Sequence, residues 1–310
     1  MLSKDKEKIV AAFSQALANI NNNIVELPGL ASLAHYDCLA RQLFDSRRRI
    51  EYVFHIRDAK HCVERRDPNS ELFDPLRAAV LHSRSGDIDE AVWLTFIAVH
   101  FGKHSTQGWS LARKIYGRLG GPGRWDWSSV SASPQAFRQW LQNSQHHLRG
   151  ERFSNHRKYE SLQAGSSGTA AVFESYVNWI RPYGDQRSMI KDIHRRVGQN
   201  PHDVFDFMYR SMTSVYRFGR LGRFDFLTML GKLGISPIEP GSAYLWHNAT
   251  GPKKGARLLF GGNSSASITP KDLDELLMLI DGSLGVGMQA LEDSLCNWQK
   301  SPTSYQYFKG

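Results

Sequence analysis

The sequence has only three cysteines, Cys38, Cys62 and Cys296, set far apart and without a Cys-x-x-Cys pair. That excludes a zinc ribbon or a disulfide framework and fits the reduced thiols of a cytoplasmic protein. Long apolar runs are missing too. The longest, 91–101, is too short to cross a bilayer and is interrupted by His100. The first residues, MLSKDKEKIVAAF, contain neither an apolar signal core nor a cleavage site, so the expected location is the cytoplasm, with no membrane partner. No Gly-x-x-x-x-Gly-Lys-[Ser/Thr] and no Gly-x-Gly-x-x-Gly occurs, which argues against a nucleotide-hydrolysing or dinucleotide-binding fold. No clean two-residue alternation marks a strand, and no internal repeat is found; a short hairpin near 244–246 or 257–260 is the weakest of the expectations. Acidic residues are also in deficit. Thirty Asp and Glu face 39 Lys and Arg, a formal charge of +9 that favours a polyanionic partner, nucleic acid first.

What is present is helical. Leu33, Leu39, Leu43 and Ile50 recur near helical spacing, with arginines on the other faces. Asp87 reads as an N-cap, with Glu90 three residues on completing a capping box. The helix that follows is apolar on all sides, hence central, and Gly102 stops it. Gly120 to Gly123 must turn. Ser133-Pro134, Asn200-Pro201 and Thr269-Pro270 each read as a cap followed by a first helical position. The spacing predicts helices over 170–180, 203–216, 225–233 and 286–300, with loops over 163–169 and 261–270. The fold class expected is all-α, one catalytic unit over 1–310 with two helical lobes, about 1–160 and 161–310.

Five stretches could carry chemistry. In 216–227, YRFGRLGRFDFL, a Gly-x-x-Gly turn formed by Gly219 and Gly222 would join two helices, with Arg217, Arg220 and Arg223 around it. Backbone N–H groups at such a turn can approach a phosphate, so it reads as a helix-hairpin-helix clamp on DNA or as an ordinary tight turn. In 247–262, HNATGPKKGARLLFGG, the paired lysines between glycines suggest a phosphate-touching loop or a solvated basic turn. In 153–161, Asn155, His156, Arg157, Lys158 and Tyr159 offer base-edge hydrogen bonds, phosphate contacts and a stacking ring, although the residues by themselves favour a plain polar surface segment. His100 and His104 lack a third ligand, so a buried or capping histidine is expected rather than a metal site. In 288–300, Leu291, Leu295 and Trp298 make an apolar stripe, Glu292 and Cys296 share another face, and Cys296 reads as a packed thiol.

Taken together, FSNHRKYESL, FGRLGRFDFLTMLGKLG, ATGPKKGARLLFG and LEDSLCNWQKSP, in this order, resemble the alpha-glutamyl/putrescinyl thymine pyrophosphorylase family, clade 3. HFGKH with GWSLARKIYG, and FDPLRAA with GDIDEAVWL, fit the same family, so the likeness runs from about Leu27 to Gly310. It implies a fold similar to helix-hairpin-helix DNA glycosylases. It further implies that bacterial clade 3 members excise phage-modified bases as a defence, whereas phage members attach amino acids or polyamines to activated hydroxymethyluracil. Glu292, Leu295, Cys296 and Lys300 occupy the places of a signature of the phage members, and Gly251-Pro252-Lys253-Lys254-Gly255 resembles their doubly basic loop.

The sequence departs from the helix-hairpin-helix pattern in two places. No aspartate stands about twenty residues beyond the glycine turn, and no lysine stands early in the following helix, which puts a lyase step in doubt. The expected activity is therefore that of a monofunctional DNA glycosylase, an N-glycosyl hydrolase, on double-stranded phage DNA with hypermodified pyrimidines, with no cofactor and no metal. The alternatives are an amine transferase that displaces pyrophosphate and a non-catalytic sensor of modified DNA. Glu239 is the first candidate for the catalytic carboxylate, with Asp225 and Glu292 behind it. Asn155, His156, Arg157, Tyr159 and Asn248 are candidates for the base. Arg217, Gly219, Arg220, Gly222, Arg223, Lys158, Gly251, Lys253, Lys254, Gly255 and Arg257 are candidates for DNA contact.

Overall fold

The computed structural model describes residues 3–246 and 249–308. Among them are fourteen α-helices and no strand, so the fold is all-α. In chain order the helices are α1 (Ser3–Asn23), α2 (Leu33–Asp58), α3 (Pro75–Arg84), α4 (Ile88–Phe101), α5 (Ser110–Tyr116), α6 (Trp127–Ala132) and α7 (Pro134–Ser144). They continue with α8 (Thr169–Ile180), α9 (Gln186–Val197), α10 (Pro201–Ser211), α11 (Arg220–Lys232), α12 (Thr250–Gly261), α13 (Pro270–Leu284) and α14 (Met288–Trp298). No described helix is long and apolar enough to cross a membrane.

Several helix starts are local capping events. Asp87 accepts from Glu90 N, Ser133 from Ala136 N, Asn200 from His202 N and Thr269 from Asp272 N. Each satisfies an N–H that the helix itself leaves unpaired. The capping box at Asp87 is only half made. Glu90 does not turn back to the cap but points inward, where it accepts from Tyr116 Oη and Trp127 N, both at 2.8 Å.

The contacts divide the chain into two compact units, one of residues 1–53 with 240–310, the other of 54–239. Residues 150–170, where the sequence suggests a division between lobes, lie inside the second unit. The second unit is built around α4, whose residues from Glu90 to Phe101 are all buried. The ring of Phe96 stacks on Tyr176 at 3.8 Å and on Phe218 at 4.7 Å, which ties α8 and the approach to α11 to the central helix.

In the first unit, α12 packs against α13 and α14. Leu259, Leu273, Leu277, Leu291, Leu295 and Trp298 are buried in its core. Asp274 is buried there, its carboxylate accepting from Ala243 N and Leu245 N at 3.1 Å each.

Three local expectations change. The stretch 247–262 is not a loop: Thr250 to Gly261 is helix α12, which also removes any hairpin at 257–260. The helix expected over 203–216 ends at Ser211 and gives way to a 3-10 turn over Met212–Ser214. The following helix starts at Arg220 rather than Asp225, so Gly219 is its N-cap and Gly222 lies inside its first turn. The direction change thus falls on 215–219, where Arg217 takes the left-handed conformation with φ 55°.

Candidate functional site

Two of the chemically suggestive stretches come together in the second unit. The segment 153–160 docks on the C-terminal end of α4, with Ser154 N donating to Phe101 O at 3.0 Å. Its Arg157 is buried, and Nε donates to Val99 O at 3.0 Å, one of the carbonyls left open at the end of α4. The guanidinium lies 5.1 Å from the Phe218 ring and reaches the first turns of α11, where Arg157 Nη2 stands 3.9 Å from Asp225 Oδ2. A methyl group on Gly222 would lie 3.0 Å from Arg157 Nη1, so this glycine makes room for the arginine. On the other side, Arg217 Nε donates to Glu160 Oε2 at 2.9 Å, and Arg217 Nη2 donates to Tyr159 O. The strained backbone at Arg217 is held by these bonds to 159–160.

Asp225 is the sole acid of α11, set between Phe224 and Phe226. Burial pushes its carboxyl above the ordinary aspartate range, against the pull of Arg157, His156, Lys232 and Arg220. Its side chain nevertheless keeps 35% of its surface, while Arg157 keeps 7%. The carboxylate is thus crowded by protein yet still open to solvent. Arg157 Nη2 is buried and makes no hydrogen bond, a donor still unused beside that carboxylate. Asn155, His156, Lys158 and Tyr159 are exposed around it; Tyr159 is 77% exposed, with Lys158 Nζ 5.1 Å from its ring centroid. Behind the pair lies His100, buried and in contact with Thr169 Oγ1 at 3.1 Å, its imidazole pushed down to about 3 by burial and by Arg157 and Arg217. His104 is engaged elsewhere, its Nδ1 facing Thr106 N and Gln107 N. Among the described residues no cluster of three His, Cys, Asp or Glu could hold a metal ion.

The remaining candidates are placed differently. Glu239 is exposed beyond the far end of α11; its N donates to Pro201 O at 3.3 Å, and its carbonyl oxygen lies 3.1 Å from His202 Nδ1. It does not join Arg157 and Asp225. Arg223 is buried, with Nη1 donating to Tyr209 O at 3.0 Å and the guanidinium 4.4 Å from the Tyr209 ring, so its place is structural rather than facing a phosphate. Arg220 sits at the start of α11, near the Phe224 ring at 6.0 Å.

Glu292, Lys253, Lys254 and Arg257 belong to the other unit. Glu292 is buried on α14. Lys254 is exposed and Lys253 half-buried in the first turns of α12, and Arg257 Nη2 reaches Ile268 O at 3.4 Å. Gly251 and Gly255 are packing positions: added methyl groups would lie 2.5 Å from Cys296 Sγ and 2.3 Å from Leu295 O. Lys300 Nζ donates to Asn297 Oδ1 at 2.9 Å. Asn248 lies outside the described residues.

Nothing in the local sequence pairs Arg157 with Asp225. The available signal was a lone acid between two phenylalanines, because a charge in an apolar helical run needs a partner from elsewhere in the fold.

A family model described as alpha-glutamyl/putrescinyl thymine pyrophosphorylase clade 3 matches residues 34–310. No curated protein and no solved structure matches the chain. With nearly the whole sequence inside that match, the chain belongs to the alpha-glutamyl/putrescinyl thymine pyrophosphorylase family, clade 3.

Proposed function

We propose that this protein is a DNA glycosylase that works in the cytoplasm and removes hypermodified pyrimidines from phage DNA, leaving abasic sites. The observation that carries the reading is Asp225: a partly desolvated carboxylate, still open to solvent, beside a buried arginine with an unused donor. The target nucleotide flips out of the duplex, which costs a few kcal/mol of stacking and pairing. Tyr159 offers a stacking face, and Asn155 and His156 offer hydrogen bonds to the base edge. Ionised Asp225 stabilises the oxocarbenium-like sugar and orients a water on C1′. The glycosidic C1′–N bond breaks with its electron pair leaving on the base, the water oxygen bonds to C1′, and the water's proton balances the departing base. Arg157, itself buried, holds its positive charge beside Asp225 and so favours the ionised carboxylate. Arg217, Arg220 and Lys158 hold phosphates around the flipped nucleotide.

The test is incubation with phage DNAs that carry different modified pyrimidines, followed by assay for alkali-labile sites and for free base by mass spectrometry. Base release without added cofactor supports the reading, and Asp225→Asn should abolish it while DNA binding persists. A second reading is favoured by the family description itself, which names a thymine pyrophosphorylase. On that reading the same flipped-base site installs an amine as pyrophosphate departs from an activated thymine methyl group. Amine incorporation into pyrophosphorylated DNA, with no abasic sites on any substrate, would replace the first reading by the second.

A further inference from the structure

The second unit carries another surface rich in charge, on α9 and the 3-10 turn over Arg181–Tyr183 that precedes it. Between them runs a groove of about 380 Å³ lined by Tyr183, Lys191, Asp192, Arg195 and Arg196 among others. The inner face of α9 is consumed by the core, with Met189, Ile190 and Ile193 buried. Its outer face is almost wholly cationic. Arg181, Arg187, Lys191, Arg195 and Arg196 are all exposed, against the carboxylates of Asp185 and Asp192.

Asp185 is spent as the helix cap, accepting from Ser188 N at 2.6 Å, and Asp89 takes the N–H groups of Gln186 and Arg187 at 2.7 and 3.0 Å. The helix N-terminus is therefore already occupied, and the positive charge that faces solvent belongs to the side chains along the groove. Asp192 pairs with both Arg195 and Arg196, the latter at 2.7 Å, and sets the two guanidinium groups side by side while each stays largely exposed. Tyr183, half-buried, places its ring 6.0 Å from the Arg196 guanidinium.

We propose that this groove binds the phosphodiester backbone of nucleic acid, at a surface separate from Asp225 and independent of base excision. From Lys191 to Arg196 the groove's cations span about 7.5 Å along the helix, enough to meet successive phosphates rather than a single small anion. Tyr183 adds a ring against which a sugar or base can pack. A membrane surface fits less well, because no large apolar side chain described between residues 160 and 215 is exposed, which leaves nothing to insert beside the charges.

The test uses unmodified duplex and single-stranded oligonucleotides, with affinity read by fluorescence anisotropy over a range of salt. The triple variant Lys191→Ala/Arg195→Ala/Arg196→Ala should fold normally by circular dichroism. Its plot of log affinity against log salt on duplex DNA should be shallower by about 2.7, each lost phosphate contact accounting for about 0.9. Asp192→Asn, which frees two guanidinium groups from a carboxylate, should bind about threefold more tightly at low salt. An unchanged slope in the triple variant overturns the proposal. Loss of binding to phosphatidylserine vesicles in that variant, with the DNA slope unchanged, assigns the groove to membranes instead and likewise overturns it. Since the probe is unmodified DNA, either failure leaves the excision reading standing, and a failure of excision leaves this one standing.

Discussion

Gly251 lies against Cys296 so closely that a methyl group on the glycine would come within 2.5 Å of the cysteine sulfur. One helical turn on, a methyl on Gly255 would come within 2.3 Å of Leu295 O. The two most distinctive motifs of the C-terminal third are thus two sides of one helix crossing, α12 on α14. The glycines let the backbones approach, as small residues four apart do wherever helices pack tightly.

Helix propensity alone makes Gly→Ala favourable by about 1 kcal/mol, so the crossing reverses the expected sign. Gly251→Ala and Gly255→Ala should each destabilise the protein by about 1–3 kcal/mol, measured by denaturant unfolding. Cys296→Ala should partly rescue Gly251→Ala by removing the sulfur. It should not rescue Gly255→Ala, whose obstacle is a backbone carbonyl. Additive effects in the first pair would show that the sulfur contact does not limit the approach.

Asp225→Asn should lower single-turnover base release by about a hundredfold or more, the scale of removing a group that stabilises transition-state charge. Glu239→Gln, exposed beyond the far end of α11, should stay active. The reverse pattern would move the chemistry to Glu239.

The acidic limb of the rate should report Asp225. Burial raises its pKa, so activity present when it is ionised is lost as pH falls through a value above the ordinary aspartate range of about 3.9. A single-turnover pH profile flat down to pH 4 would mean that no raised carboxyl is needed.

Glu90 predicts a pH effect on stability. Burial pushes its carboxyl up from 4.5 to about 7, although Trp127 N and Tyr116 Oη donate to it. The folded state holds this proton where the unfolded state has released it. Its contribution is therefore complete below pH 4.5 and is lost as pH rises through 7. The loss is at most about 3 kcal/mol. Glu90→Gln can keep both contacts without a charge, so its unfolding free energy should vary less between pH 5 and 8 than the parent's. Identical pH dependence in both would remove Glu90 from the account.

Lys253→Ala/Lys254→Ala tests the basic start of α12. If both lysines meet DNA phosphates, the salt slope should fall by about 1.8. If only exposed Lys254 does, it should fall by about half that. An unchanged slope would leave α12 without a phosphate contact.

Helices whose ends are set by neighbouring residues are legible in the amino-acid order. Asp87, Ser133-Pro134, Asn200-Pro201 and Thr269-Pro270 cap within three residues, and Gly102 stops α4 with φ 65°, so neighbouring residues suffice to mark these boundaries. The largely apolar 91–101 run likewise marks a central helix. Tertiary structure decided what depends on distant partners. Gly251-Pro252-Lys253-Lys254-Gly255 has the composition of a loop, and it becomes a helix where α14 rewards close approach. Arg157 and Asp225 stand 68 positions apart in the numbering, and only folding brings their charges to 3.9 Å. Local propensity reads caps and turns over a few residues; desolvation and packing act between residues that the chain keeps far apart.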